Sequence, residues 1–353
     1  MAVPKLYVAF ASDTEDNHPS YVPGWANYGS NYEKNPATLN WSWSHYWNEL
    51  ADCFSSKNVP VTWLVRVDKG PVYDQMLALF RDKILELKSN GDEIGIHIHT
   101  WVWDAELFKW VQTMNPEYET KIVLDSLAMF KRNLGFSPLS VRMGWNAMSN
   151  EIVRTLDANG LLADATAIPG TISLGKFGRR DNMFDWSRAS NNPYHPSSND
   201  YQRPGNMKIL ETPISTLVSS NAKILGELVN AFSGKNVLFK LVPIARRLNL
   251  TPHSYFYITP WWSSSICSRI IRACSKKAVA DGVTFLIGYF HACDILDPRT
   301  GKKNLVLERY ISSAIKEILS INGIDIKFTT LSELTKEVDA NPASPSDVRS
   351  CVK

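Results

Sequence analysis

The chain has 353 residues, 44% of them apolar and 21% charged, and a formal net charge of +3. This length and balance suit one large α/β domain or two ordinary ones around a true core, and exclude a disordered or fibrous chain. With no Lys/Arg run, so mild a charge excludes a phosphate-tracking nucleic-acid surface, and no stretch reaches the ~20 apolar residues of a membrane span.

Lys5 to Ala11 is a short apolar run with strand character that breaks into the polar cluster Ser12-Asp13-Thr14-Glu15-Asp16-Asn17. After a long polar and aromatic loop, Trp43, Tyr46, Trp47, Leu50 and Phe54 recur at helical spacing over Trp43–Lys57, the period of one buried helix face. Val59–Val67 reads as a buried strand, and Val72–Asn90 as an amphipathic helix closed by Gly91. A strand over Glu93–Thr100, a helix over Tyr118–Leu134, a strand over Leu139–Met143, a helix over Asn150–Asn159 and a short strand over Leu161–Asp164 follow. Such alternation predicts parallel strands joined by crossover helices. Residues 169–207 break the pattern. They are rich in Gly, Asn, Ser, Pro and Arg, yet carry Phe184, Trp186, Tyr194 and Tyr201, and are expected to form an ordered loop beside a cleft. Ile209–Ile214 is strand-like. Residues 223–249 are apolar and basic and are interrupted by Pro243. They read first as a surface helix pair and second as a monotopic membrane foot. Ser263–Ala280, Glu308–Asn322 and Leu331–Val338 read as helices, Thr284–His291 and Ile324–Thr329 as strands. The expected organisation is a single domain over 1–338, with 169–260 an insertion of cleft loops and 339–353 a polar tail.

The chemistry-bearing residues fall at strand ends. In His97-Ile98-His99 the two imidazoles are i and i+2, so on a strand they share a face and can reach one metal ion. The alternative is two satisfied polar residues at a strand end. Asp13, Glu15 and Asp16 lie together after the first strand. One could be a metal carboxylate and another a general base; a solvated turn or a helix cap is the alternative. Twelve Trp, 13 Tyr and 14 Phe exceed what a core needs, and some rings are expected to line a cleft, where aromatic faces suit the apolar faces of sugars. Five cysteines without a Cys-x-x-Cys pair read as reduced thiols. The run Leu6–Ala11 is too short for a secretory leader, so the expected location is the cytoplasm, with membrane association through 223–249 as the second reading.

Taken in order, the acidic cluster, Glu93-Ile94-Gly95-Ile96-His97, Arg142-Met143-Gly144-Trp145 and Tyr289-Phe290-His291 resemble the motifs of the polysaccharide deacetylase (NodB-homology, carbohydrate esterase family 4-like) family, of which this chain would be a divergent member. Val61–Val65 is similar to that family's second strand, and the resemblance spans roughly residues 5–165 and 284–332. It implies a distorted (β/α)7-type barrel of parallel strands with a long insertion in the second half. It also implies metal-dependent hydrolysis of an N-acyl group, normally N-acetyl, on a sugar or a nucleotide- or lipid-linked glycan precursor. Asp13 matches the general base, Arg142 the arginine that pairs with it, and His291 the general acid to the leaving amine. His97 matches the first metal histidine, and either Glu15 or Asp16 the metal carboxylate, with Glu15 at strand spacing from Asp13. The implied cofactor is one divalent ion, Zn2+ first, with Co2+, Ni2+, Mn2+ or Fe2+ also suited to two His and a carboxylate. Trp145, Trp103, Asp164 and Trp186 are expected at the substrate wall.

The chain departs from the pattern in three places. Trp101 stands where the second family histidine is usual, so His99 is assigned by geometry; Gly144-Trp145 replaces Pro-Tyr; and the acids lie at 13, 15 and 16 instead of as an adjacent pair. These departures support a rival reading, a sugar-binding protein on the same scaffold without turnover; a further rival is a two-carboxylate glycosidase on a similar barrel.

Overall fold

Strand β1, Lys5–Thr14, is buried along almost its whole length, and both of its edges are paired. One edge runs parallel to β15, Val283–His291, from Lys5↔Val283 to Asp13↔His291. The other edge is shared. Lys5–Ala9 pair with β16, Asp325–Thr329, and Phe10–Thr14 pair with β2, Val61–Arg66, both in parallel. With partners on both sides, the polar end Ser12-Asp13-Thr14 stays in the sheet, and the strand runs three residues beyond the Ala11 at which its apolar run stops. The structure is a computed structural model that describes residues 3–14, 43–67, 77–78, 80–104, 109–113, 115–174, 183–218, 253–260, 264–295 and 303–341.

From β2 the sheet continues through β3, Glu93–Ile98, and β6, Ser140–Met143, to β7, Ala163–Asp164, and β12, Leu210–Glu211, every pair parallel. Seven strands thus follow one curled path, β12-β7-β6-β3-β2-β1-β15, with β16 as an eighth on β1. This is the expected α/β distorted barrel. The gap between β12 and β15 is bridged by irregular backbone. Thr212 N donates to Asp164 O at 2.6 Å and Ser215 N to Ile287 O at 2.9 Å. Helices α1 (Trp43–Ser55), α2 (Arg81–Ser89), α3 (Pro116–Leu134), α4 (Asn150–Ala158), α5 (Ser264–Asp281) and α6 (Leu305–Leu319) provide the crossovers, the connections parallel strands require. The helix expected over Tyr118–Leu134 starts two residues earlier, at Pro116. Asn115 caps α3 through Tyr118 N at 3.1 Å with Pro116 in its first turn, and Gly135 ends it in the left-handed region at φ 83°.

Alternation along the strands divides the core into two clusters. Tyr7, Ala9, Ala11, Leu64, Ala163, Ala165, Leu210, Ile287 and Tyr289 face the barrel interior, which Leu331, Leu334 and Val338 of α7 (Leu331–Ala340) plug at the end where the strands begin. The larger cluster lies between sheet and helices, where Phe290 stacks on Phe54 at 5.4 Å and meets Trp63 edge-on at 5.9 Å.

The structure adds elements the sequence pattern did not show. A hairpin of β4, Trp101–Asp104, and β5, Lys109–Gln112, follows β3. Within the region expected to be cleft loops stand the two-stranded ribbons β8/β9 (Ile172–Leu174, Met183–Asp185), β10/β11 (Pro196–Ser197, Asp200–Pro204) and β13/β14 (Thr216–Val218, His253–Tyr255). The segment 223–249, with its two readings, lies outside the described residues, as do Glu15 and Asp16. Among the described residues no helix is long and apolar enough to cross a membrane.

Phe290 is fully buried between Phe54 and Trp63. Phe290→Ala is expected to cost about 3–5 kcal/mol, the transfer and cavity penalty of a buried aromatic, read as a lower midpoint in urea unfolding. A loss below about 1 kcal/mol would mean that β15 is not anchored there.

Candidate active site

The parallel register assembles the site at the ends where the strands stop. Residues opposite one another on neighbouring parallel strands share a face, so Asp13↔His291 on β1/β15 and His97↔Arg142 on β3/β6 become pairs. Asp13 is buried, and three positive or potentially positive groups surround it. Arg142 Nε is 3.2 Å from Oδ2, His291 Nε2 is 3.3 Å from Oδ2, and His97 Nδ1 is 3.9 Å from Oδ1. Burial pushes its carboxyl up, but the Arg142 guanidinium, with His97 and His291 behind it, outweighs that and holds it at about 2. Arg142 is itself fixed on three sides. Its guanidinium carbon lies 3.7 Å from the centre of the Tyr289 ring, its Nη2 donates to Asn146 Oδ1 at 3.0 Å, and Asp13 takes its Nε.

The two imidazoles lie together, although β3 ends at Ile98 and His99 is just beyond it. His97 Nδ1 donates to the Arg142 carbonyl at 2.9 Å, which leaves its Nε2 lone pair facing His99 Nε2 at 3.0 Å. Two ring nitrogens each ~2.0–2.1 Å from one ion are separated by a distance of this order, so the pair fits a divalent cation by spacing and donor chemistry. Asp13 lies on the Nδ1 side of His97, facing away from the paired Nε2 atoms. The third donor is the role assigned to Glu15 or Asp16. Among the described residues no group of three His, Cys, Asp or Glu could hold a metal ion.

The backbone after β6 is strained where it supports His99. Trp145 (φ 52°) and Asn146 (φ 57°) are both left-handed, which costs non-glycine residues of the order of 1–3 kcal/mol each. Gly144 lies flat against the His99 ring, where a Cβ would fall 2.3 Å from three of its atoms. The strain is held by side chains. Asn146 accepts from Arg142, Trp186 Nε1 donates to Asn146 O at 2.9 Å, and the Trp145 ring meets Trp101 at 4.7 Å, beside His99. Trp101 packs on His99 at 4.2 Å and beneath Arg66 at 4.9 Å. It therefore walls the imidazole at the position where the family pattern has its second histidine.

The substrate-wall residues separate. Trp145 is half-buried next to His99. Trp186 is instead buried, packed on Tyr201, and props the strained turn through its indole N–H, so it offers no open ring face. Trp103 pairs with Trp110 in the β4/β5 hairpin, and its side chain is outside the description. Asp164 is not at the wall. Ala163 and Ala165 face the interior, so alternation sends Asp164 the other way, fully buried, with Thr166 N on its Oδ1 at 3.0 Å and Thr166 Oγ1 on the same atom. Glu211, its register partner on β12, is equally buried and accepts from Ala167 N at 3.1 Å. Burial raises both carboxyls. Asp164 reaches about 6, and Glu211, next to the negative Asp164, goes well above the ordinary range and keeps a proton that it shares with Asp164.

Sequence reasoning passed over Tyr289, Asn146, Glu211, Tyr257 and Asp294. Asn146 directly follows the Arg142 motif, and Glu211 sits in a strand-like run, so both had a local signal. Tyr257 sits in no periodic pattern.

No protein-family model matches the sequence, and no curated protein matches it significantly. Solved structures do. A chain from Mycobacterium smegmatis assigned as a polysaccharide deacetylase aligns over 100% of this chain and 96% of its own, with TM-score 0.52 and 14% identity. A Parabacteroides distasonis chain assigned as a glycoside hydrolase/deacetylase aligns over 95% of this chain and 71% of its own, with TM-score 0.54 and 12% identity. This chain has the polysaccharide deacetylase fold. A Pseudomonas aeruginosa PAO1 chain assigned as a polysaccharide deacetylase covers 97% of this chain and 93% of its own, with TM-score 0.50 and 13% identity. Sequence identities this low carry the deacetylase fold and nothing finer.

The buried carboxyl pair behind the site makes stability depend on pH with a definite sign. Between the ordinary carboxyl pKa near ~4 and the raised folded values, the unfolded chain loses protons that the folded chain keeps. The contribution of this pair to folding stability is therefore fully present below about pH 4 and falls as pH rises, by up to about 1.4 kcal/mol per pH unit for each retained proton. Glu211→Gln can accept from Ala167 N and donate to Asp164 without a titrating proton. Its urea midpoint is expected to fall less than the wild-type midpoint between about pH 4 and pH 7; parallel curves would mean that Glu211 is not held protonated.

Proposed function

We propose that the chain hydrolyses an N-acyl group, in the first place N-acetyl, from an amino sugar or a nucleotide- or lipid-linked glycan precursor. The observation that carries this reading is the buried carboxylate of Asp13, held ionised by Arg142 at 3.2 Å, with His291 at 3.3 Å and the paired imidazoles of His97 and His99 beside it. A base, an acid and a cation-binding pair stand at one strand end of a fold shared with chains assigned as polysaccharide deacetylases.

His97 and His99 would hold a divalent ion, Zn2+ by preference, with the acid at 15 or 16 as the third donor. A carboxylate held at about 2 is a weak base, and such an ion supplies what it lacks, a water acidified towards neutrality and a polarised carbonyl. Asp13 then accepts the proton of the attacking water, and Arg142 keeps that oxygen pair aimed and charged. His291, protonated at Nε2, gives its proton to the departing nitrogen, so that a neutral amine leaves. The Trp145 ring, half-buried beside His99, is placed to pack on the sugar.

The test is acetate release from N-acetylated amino sugars by the full chain supplied with Zn2+ or Co2+. Asp13→Asn should lower kcat about 10²–10⁴-fold, the range for loss of a general base, and chelation should abolish turnover until metal is returned. Acetate release that survives both treatments would overturn the proposal; cleavage of a glycosidic bond without acetate release would overturn it in favour of a two-carboxylate glycosidase, and binding of sugar without any turnover would leave a sugar-binding protein.

A further inference from the structure

Behind His291 lies a second row of polar groups that the hydrolytic steps do not use. Tyr257 Oη is 2.8 Å from His291 Nδ1 and 2.8 Å from Asp294 Oδ2, and Thr259 Oγ1 donates to the same Asp294 oxygen at 2.9 Å. Asp294 is buried. It stands on the single turn Ala292–Ile295 that follows β15, which folds it back beneath the histidine.

The backbone fixes this row before any ligand arrives. Ile258 N donates to Tyr289 O at 2.9 Å and Tyr289 N to Phe256 O at 3.0 Å, so Tyr257 sits in parallel bridge register with Tyr289. The two rings stack at 4.5 Å with their planes 6° apart, and Tyr255 continues the stack. Gly288 gives Phe256 its place, since a Cβ there would fall 2.5 Å from the Phe256 ring.

Proton counting assigns the direction of each bond. A phenol has one proton to give, and a carboxylate only accepts. Burial first, and the Asp294 charge second, push the Tyr257 phenol well up, so it keeps that proton. The proton therefore goes to Asp294, and the phenol oxygen accepts from His291, which must carry a hydrogen on Nδ1. The other nitrogen, Nε2, faces Asp13 Oδ2 at 3.3 Å. Both ring nitrogens thus meet acceptors. Among the described residues, the titratable and charged groups facing the imidazole are Asp13 from β1, Tyr257, Tyr289 of β15 and Asp294, with Arg142 stacked on Tyr289.

Resting on the hydrolytic reading above, we infer that Tyr257 and Asp294 form a relay that positions His291, holds one proton on its Nδ1 and so reserves Nε2 for the leaving group. Both are positioning residues and neither touches substrate. When Nε2 has given its proton to the departing nitrogen, the ring is left as the neutral Nδ1–H form, with its lone pair toward the site, and a solvent proton recharges it. Such a relay selects the tautomer and favours the charged form, as a carboxylate does when it orients a histidine directly.

The experiment is NMR of the full chain carrying isotope-labelled histidine, with the His291 signals identified by their loss in His291→Gln, followed through pH without substrate. In the wild type the neutral ring should carry its proton on Nδ1. Tyr257→Phe keeps the ring stack and removes only the hydroxyl, and Asp294→Asn keeps the shape and removes the charge. Each should move the His291 midpoint about one pH unit to lower pH, and the alkaline fall of the rate profile should move with it. A wild-type Nε2–H tautomer overturns the relay on its own, even if a variant fails to fold. An unmoved midpoint in either folded variant overturns it too. If no N-acylated sugar is turned over, the hydrolytic reading falls separately, because the titration requires no substrate.

Discussion

One buried ion pair sets the terms for the open end of the barrel. Asp13 ends a strand that is paired along both edges, so its carboxylate cannot swing into solvent, and it lies buried against Arg142 at 3.2 Å. An unpartnered buried charge costs several kcal/mol, which ties each member of the cluster to the next. Arg142 has to stay charged, so it has the face of Tyr289 below it and Asn146 at its edge. Asn146 has to point inward, so the backbone takes two left-handed residues in succession, and Trp186 braces them from behind. The Arg142 carbonyl, on the same residue, sets the His97 ring. Moving any one of these groups leaves a charge or a strained turn without its counterweight.

Two carboxyl environments stand within a few strands of each other and titrate in opposite directions. Asp13 is on the interior face with a guanidinium and two imidazoles and is held at about 2. Asp164 is on the other face, opposite Glu211, where burial outweighs the hydrogen bonds from Thr166 and Glu211 and the charge of Arg142 and drives it up to about 6. Both are buried, so burial alone does not decide. The phase of the strand decides, because one residue of alternation takes a carboxyl away from the cationic interior and leaves its burial uncompensated.

That alternation also explains what could be read from the sequence. His97 and His99 were visible because i and i+2 share a face whatever the details of the strand, His291 because it closes an apolar run, and Arg142 only through its resemblance to a family motif. Asp164 closed such a run too, but its phase is set by pairing to β6 and β12 through two residues, and no local pattern records that. The end of β1 was misplaced for the converse reason. Ser12-Asp13-Thr14 has turn composition, and only the distant partners β15 and β2 hold it extended. Tyr257 was invisible, since its role comes from a bridge to Tyr289 across α5 with no period of its own.

The ribbon β13/β14 begins where the wall of the barrel is completed. Thr216 and Tyr255 lie directly across from one another, at the point where the backbone leaves Ser215 and returns at Phe256, and Ser215 and Phe256 are themselves hydrogen-bonded to each other and to β15. The ring of strands is therefore already closed at the neck, before anything between Val218 and His253 is considered. The wall behind the histidine at 291 takes its closing bonds from Ser215 and Phe256, on the barrel side of that two-stranded stem.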